Sequence, residues 1–214
     1  RILACIAQDE LLLEAFRHGQ DIHARTAAEV FGVPLDEVTP QMRSRAKAVN
    51  FGIVYGISDF GLAKQLDVGR KEAAGYIASY FERYTGVKKY MEDIVAEARE
   101  QGYVSTLMGR RRYLPEIRSS NFNLRSFAER TAPIQGTAAD IMKKAMIAVQ
   151  RELDKAQCKS RILLQVHDEL VLEVTEDEKE QVAQLVRTAM EGAASLDIPL
   201  LADVNCGRDW AETK

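Results

Sequence analysis

Residues 161–174, RILLQVHDELVLEV, constrain the fold more than any other stretch of the sequence. Two apolar runs rich in Ile, Leu and Val flank a short polar turn, which is the pattern of a β-hairpin with strands expected at 161–166 and 170–174. Almost everything else has a different period. Ala, Glu, Lys, Arg and Leu dominate, and apolar residues recur at three and four positions. That predicts helices over 8–18, 23–31, 41–56, 60–66, 70–83, 87–101 and 124–155. Pro133 falls inside the last of these and predicts a kink or a break, because proline lacks the amide donor and crowds the preceding turn. TEDE at Thr175–Glu178 reads as a capping box opening a helix to about Ala194, and a last strand is expected near 200–206, against the hairpin. The fold class is therefore α+β and mainly helical, a helical middle module inserted between segments that share a small antiparallel sheet.

Composition narrows the function classes. A chain of 214 residues with 46% hydrophobic content can bury a sizeable core, as one large domain or two small ones. Cys5, Cys158 and Cys206 are odd in number, widely spaced and free of any CxxC, so neither a disulfide framework nor a zinc site is suggested, and a reducing, intracellular setting is expected. No apolar run approaches the roughly 20 residues needed to cross a bilayer, and no signal peptide is present, so no membrane partner is expected. A formal net charge of −3 excludes a globally basic surface. Nucleic-acid contact would have to come from local clusters such as GRRRY at Gly109–Tyr113 or Lys143 with Lys144.

Two motifs carry chemistry. In the stretch around RAKAVNFGIVYG, Arg43, Lys47, Phe51 and Tyr55 recur every four residues, which places them along one slowly drifting helical stripe running from cationic to aromatic. Two readings are open: the aromatics pack in a core while the cations reach water, or the stripe grips a ligand anionic at one end and flat at the other, as a nucleoside triphosphate is. The hairpin turn holds His167, Asp168 and Glu169. It reads either as a solvated turn or as a site for a hard divalent cation, since magnesium takes one or two carboxylates, keeps water and draws its other oxygens from substrate phosphates.

Together these motifs resemble family A of the DNA polymerases, the bacterial DNA polymerase I group, in its C-terminal region. The signature Arg-x3-Lys-x3-Phe-x3-Tyr-Gly is matched by Arg43, Lys47, Phe51, Tyr55 and Gly56, and Val-His-Asp-Glu by Val166–Glu169. DIH at Asp21–His23 and PIQGTAAD at Pro133–Asp140 fall in the expected order, and the similarity runs along essentially the whole chain. The resemblance implies a palm built on an antiparallel sheet with helical fingers inserted, divided as partial palm 1–22, fingers 23–123 and palm 124–214 with a metal-binding hairpin. It implies template-directed addition of deoxynucleotides to a primer 3′ end by two-metal nucleotidyl transfer, for replication and repair. The partners would be primer–template DNA and dNTPs, the cofactor two Mg2+ ions with Mn2+ able to substitute, and the location the bacterial cytoplasm at the nucleoid.

Residue by residue, the resemblance makes Arg43 and Lys47 holders of the triphosphate, with Lys47 also neutralising charge that builds up during transfer. Phe51 would pack on sugar and base, and Tyr55 would stack near the templating position. His23 would reach the triphosphate; without the resemblance it reads equally well as a helix start capped by Asp21. Asp168 would be one of two aspartates holding the metal pair, Glu169 would assist, and His167 would touch the primer terminus. Arg130 and Gln135 resemble contacts to template–primer, Gln135 through minor-groove acceptors shared by every base pair. Arg110, Arg111 and Arg112 would grip backbone phosphates, or form a solvated loop.

Two departures from the family stand out. Its first palm motif, DYSQIELR, supplies the other metal-binding aspartate, and this chain begins at that motif's final residue, Arg1. The expectation is a polymerase fragment, weak or inactive without a preceding palm and thumb segment; the alternative is a catalytically incomplete module that binds primer–template or nucleotide. The family pattern Arg-x3-Asn-x-Pro-x-Gln is also shortened, because Arg130 reaches Gln135 through TAPI, three residues fewer, with no counterpart of the asparagine. Removing three residues from a helix rotates its C-terminal remainder by about 60° and shortens the rise by about 4.5 Å.

Overall fold

The computed structural model describes residues 1–118 and 122–213, with the side chains of residues 116, 118 and 122–131 outside the described set. The chain divides into two compact units, Arg1–Gly136 and Thr137–Lys214.

In the first unit, α1 (Ile2–Ala7), α2 (Glu10–Arg17), α3 (Ile22–Phe31), α4 (Pro40–Val54), α5 (Asp59–Leu66), α6 (Arg70–Arg83) and α7 (Thr85–Gln101) follow one another. The helix expected over 8–18 starts two residues later, because Gln8 turns left-handed at φ 48° and Asp9 becomes an N-cap. Asp9 is 3% exposed and its two carboxylate oxygens serve two helix starts. Leu12 N donates to one at 3.2 Å, while Gly86 N and Val87 N donate to the other at 2.9 and 3.3 Å. Helix N-termini carry unsatisfied amides and partial positive charge, so one buried carboxylate stabilises both ends of this contact. The approach leaves no room for a side chain at Gly86, where a Cβ would lie 2.9 Å from Asp9 Cα.

Helix α4 begins as its sequence dictates, with Thr39 capping Met42 N at 3.2 Å and Pro40 in the first turn. Its buried face is Ala46, Val49, Gly52 and Ile53. Those residues join a core that includes Leu12, Leu13, Ala27, Leu62, Tyr80, Tyr84 and Val87, each large side chain contributing about 1.5–3 kcal/mol on burial.

A hairpin that the sequence did not reveal follows α7. Strands β1 (Tyr103–Ser105) and β2 (Arg111–Tyr113) pair antiparallel, with Tyr103 opposite Tyr113 and Ser105 opposite Arg111. Thr106 N donates to Arg110 O and Gly109 N to Thr106 O, both at 2.9 Å, which closes the turn. Val104 and Leu114 anchor it in a cluster with Ile94, Ala98 and Ala132. The GRRRY segment is thus half strand rather than loop.

Helix α8 (Phe122–Lys155) runs on without the break expected at Pro133, which lies inside it. A single proline removes one amide donor, and the turns on either side still close.

The second unit is built from the later part of α8, the hairpin β3 (Arg161–Val166) and β4 (Glu169–Glu173), and α9 (Lys179–Glu191). Val149, Leu153, Val182 and Val186 form its core, with Ile162, Leu170 and Leu172 packed on them. The expected hairpin is present, paired from Arg161↔Glu173 to Val166↔Glu169, with an irregularity between Ile162 and Leu164.

Two expectations about this unit are overturned. Thr175 forms no capping box: its side chain makes no cap bond, and α9 opens at Lys179 after a short 3-10 turn and ends at Glu191. Glu178 instead turns its carboxylate onto Lys159 N at 2.8 Å, Ser160 N at 3.0 Å and Ser160 Oγ at 2.6 Å. The Ser160 hydroxyl, followed by the Lys159 and Ser160 amides, pulls the Glu178 pKa down to about 2. Nor does a strand form at 200–206. A strand needs a partner ladder, and here Ala202 N donates to Glu191 Oε1 at 3.1 Å and Asn205 Nδ2 to the Thr213 carbonyl at 3.2 Å, so the segment bonds elsewhere. Among the described residues no helix is long and apolar enough to cross a membrane.

Candidate functional site

The stripe on α4 lies away from its buried face. Phe51 is 46% and Tyr55 47% exposed, which removes the core-packing reading and leaves two large rings facing solvent. Tyr55 sits just past the helix end as its C-cap.

Around Phe51 the chain gathers cations and a histidine. Lys47 Nζ is 5.8 Å from the centre of the Phe51 ring, a cation–π distance, and the His23 ring is 5.9 Å from it, tilted by 42°. His23 comes from the first turn of α3, where Asp21 caps the amides of His23 and Ala24 at 2.9 and 3.1 Å. The other Asp21 oxygen accepts from Arg43 Nε at 2.6 Å, so one acid both starts α3 and orients the arginine of α4. Burial alone would raise the Asp21 pKa, but the Arg43 guanidinium and the two amides hold it below the usual carboxylate value. His23 is shifted down: burial lowers it first, Asp21 pulls the other way, and Arg43 and Lys47 lower it further.

Four of the residues picked out in the sequence, His23, Arg43, Lys47 and Phe51, therefore share one patch, with Tyr55 at the far end of the same stripe. Two members escaped sequence reading. Asp21 reads from sequence as a helix cap and as the start of the DIH stretch, without a role in the site, and Asn50 is one polar residue between buried Val49 and Ile53. Asn50 Nδ2 lies 3.0 Å from His23 Nδ1. The available signal was that break in an otherwise apolar face.

A second cluster in the same unit joins residues from β1–β2 and α8. Arg110, Arg111, Arg112 and Gln135 line a cavity of about 190 Å³ together with Thr106 and Pro133. Arg110 Nη2 donates to the Gly136 carbonyl at 3.0 Å, and Arg111 stacks 4.7 Å over the Tyr103 ring, itself edge-on to Tyr113. The contact is close enough that a Cβ on Gly136 would meet Thr106 Cγ2 at 2.7 Å. Arg110 is thus a brace as well as a surface cation. Arg130 belongs to α8, but its side chain lies outside the described residues.

The second unit carries the acids. His167 and Asp168 form the two-residue turn between β3 and β4, and His167 sits at φ 52°, a left-handed conformation uncommon for a residue with a side chain. Gln165 Nε2 donates to the His167 carbonyl at 2.7 Å, fixing the turn. His167, Asp168 and Glu169 are all exposed. Trp210 Nε1 donates to Glu169 Oε1 at 3.1 Å, a partner 41 residues away that no local pattern announces. Among the described residues no three His, Cys, Asp or Glu side chains gather as a metal-binding group.

Comparison with known proteins places these clusters in context. The sequence pattern of DNA polymerase family A matches residues 1–212. DNA polymerase I of Bacillus caldotenax is 57% identical over 217 residues, covering 100% of this chain and 25% of its own length. That of Pseudomonas aeruginosa is 58% identical over 215 residues, covering 99% and 24%. The chain spans about a quarter of the length of the curated relatives it matches. The Bacillus caldotenax alignment is three positions longer than the 214-residue chain, matching in size the shortening read between Arg130 and Gln135. Among solved structures, the POL domain of Pol1 from M. smegmatis, in complex with DNA primer-template and dNTP, matches at a TM-score of 0.93 and 50% identity, over 99% of this chain and 38% of that one.

Proposed function

The chain belongs to DNA polymerase family A, and on that premise we propose that it is the nucleotide-gripping and acid-bearing part of a template-directed DNA polymerase, which adds deoxynucleotides to a primer 3′ end. The observation that carries this reading is the patch of His23, Arg43 and Lys47 around the exposed Phe51 ring. It presents donors for a triphosphate beside a flat apolar face for a sugar and base. The related M. smegmatis domain in complex with primer-template and dNTP supports DNA and dNTP as partners here.

In this reading Arg43 and Lys47 hold the phosphates, and Lys47 offsets negative charge as the primer 3′ oxygen bonds to the α-phosphorus and pyrophosphate leaves. His23 donates to the triphosphate, Phe51 packs on the sugar, and Tyr55 stacks by the templating base. Arg130 and Gln135 contact the template–primer, Gln135 through the minor groove, and Arg110, Arg111 and Arg112 grip backbone phosphates. Residues 23–123 act as fingers, 1–22 and 124–214 as palm, and the protein works in the cytoplasm at the nucleoid.

Asp168 is proposed as a magnesium ligand, with Glu169 beside it and His167 at the primer terminus. The exposed carboxylates suit magnesium or manganese, and the remaining oxygens would come from substrate phosphates, water and carboxylates beyond the hairpin. A bound metal pair supplies an activated primer hydroxyl and charge neutralisation at the leaving group.

The test is magnesium-dependent extension of a primed DNA template by the chain alone and joined to a segment carrying the DYSQIELR motif, with dNTP binding measured on both. Extension by the joined form supports the reading. Binding without extension in either form would favour the second reading, a nucleotide- or primer–template-binding module. Loss of both would end the polymerase assignment for this chain.

A further inference from the structure

Asn50 occupies a position from which it can decide which nitrogen of His23 carries the proton. Its Nδ2 lies 3.0 Å from His23 Nδ1 and 3.2 Å from Thr26 Oγ1, so each amide hydrogen has an acceptor. Thr26 is fully buried, and its hydroxyl lies 3.2 Å from Asn50 Oδ1 and 3.3 Å from the Tyr84 hydroxyl, a side chain that is itself 0% exposed. The chain of contacts runs from α4 through α3 to the start of α7, all inside the first unit.

We infer that Asn50 is a positioning residue: by donating to Nδ1 it fixes His23 as the neutral tautomer with its proton on Nε2, so that the nitrogen not held by Asn50 is a ready donor to a phosphate oxygen. In a neutral imidazole one nitrogen donates and the other accepts, and the bond made by one decides the role of the other. The charged groups facing His23 are Asp21 on its own element and Arg43 and Lys47 on α4, and burial with the two cations favours the neutral ring over the pull of Asp21. Without Asn50 the ring has two tautomers of similar energy, one of which would turn a bare lone pair toward the anion. This inference rests on the reading of His23 as a triphosphate contact.

The first measurement needs no variant. In the 15N-histidine-labelled chain at pH 7.5, with His23 assigned by its loss in His23→Gln, Nε2 is expected to be protonated and Nδ1 bare; a protonated Nδ1 overturns the inference. Asn50→Asp replaces the donor by an acceptor and should protonate Nδ1. Binding of dNTP should then become pH-dependent, about tenfold weaker at pH 8.5, where the ring is neutral with a bare Nε2, and progressively less weakened as the pH is lowered and the ring takes up a second proton. In the His23→Gln background, where the amide donates whatever Asn50 does, Asn50→Asp should cost the same at high and low pH, the effect of the added charge alone, with no pH dependence. An equal loss at high and low pH and in both backgrounds would make Asn50 merely structural and overturn the inference. If the parent chain binds no dNTP, the functional reading fails while the tautomer measurement still decides this one.

Discussion

The α3–α4 patch and the β3–β4 turn are built on opposite plans. In the patch nearly every functional side chain has a partner from this chain: Arg43 on Asp21, His23 on Asn50, Lys47 over Phe51. Its geometry is set before any ligand arrives, so little orientational freedom remains to be lost on binding. The turn places Asp168 through a left-handed His167 and one side-chain bond from Gln165, with Trp210 steadying the neighbouring Glu169. In the proposed roles, a substrate patch can be complete within one helix pair, whereas a divalent-metal site would draw ligands from several sources and a single turn would supply only its share.

The sharpest way to break that comparison is Asp168→Asn in an extension-competent form of the protein. Magnesium-dependent primer extension should fall by about 10³-fold or more while dNTP affinity falls by far less, since His23, Arg43 and Lys47 of the patch still hold the phosphates. A matching loss of dNTP affinity would show that the two sites are not independent. Lys47→Ala should do the reverse, weakening dNTP binding by roughly tenfold to a hundredfold, about 1.4–2.7 kcal/mol, with the fold intact by circular dichroism. Trp210→Phe removes one exposed donor to Glu169 and should slow extension by only about two- to fivefold. A larger drop would mean that the turn is as tightly preorganised as the patch.

The smallest effect concerns acid. Glu178 is depressed in the folded state, so its contribution is fully present above the ordinary glutamate value of 4.5 and is lost as pH falls through about 2. The difference in Tm between the parent and Glu178→Gln should therefore be greatest above pH 5 and shrink on acidification. A difference that does not change with pH would place the Glu178 contribution in shape rather than charge.

Legibility in the sequence followed the range of the interactions involved. The α4 stripe could be read because helical period is local, and the β3–β4 hairpin because its apolar runs and polar turn are contiguous. The choice between buried and exposed aromatics could not be made until Ala46, Val49 and Ile53 were seen to form the inward face. Asn50 and Asp21 were hidden because a single polar residue acquires meaning only from what folds against it. Trp210 meets Glu169 across 41 residues, a separation no motif spans. The β1–β2 hairpin was missed because its strands are only three residues each, the second beginning with two arginines, and they owe their form to the buried Val104 and Leu114 and to the Thr106 turn, whereas 200–206 looked like a strand and lacked a ladder to join.

The double cap at Asp9 has a consequence for the order in which the molecule assembles. Its bond to Gly86 closes a separation of 77 residues, so the carboxylate cannot reach its second helix until α7 has begun to form. On a ribosome the opening helices would emerge with a charged side chain awaiting a partner not yet translated. Their final packing is a late event, and a chain arrested anywhere before Gly86 would hold them unsettled and open to proteolysis.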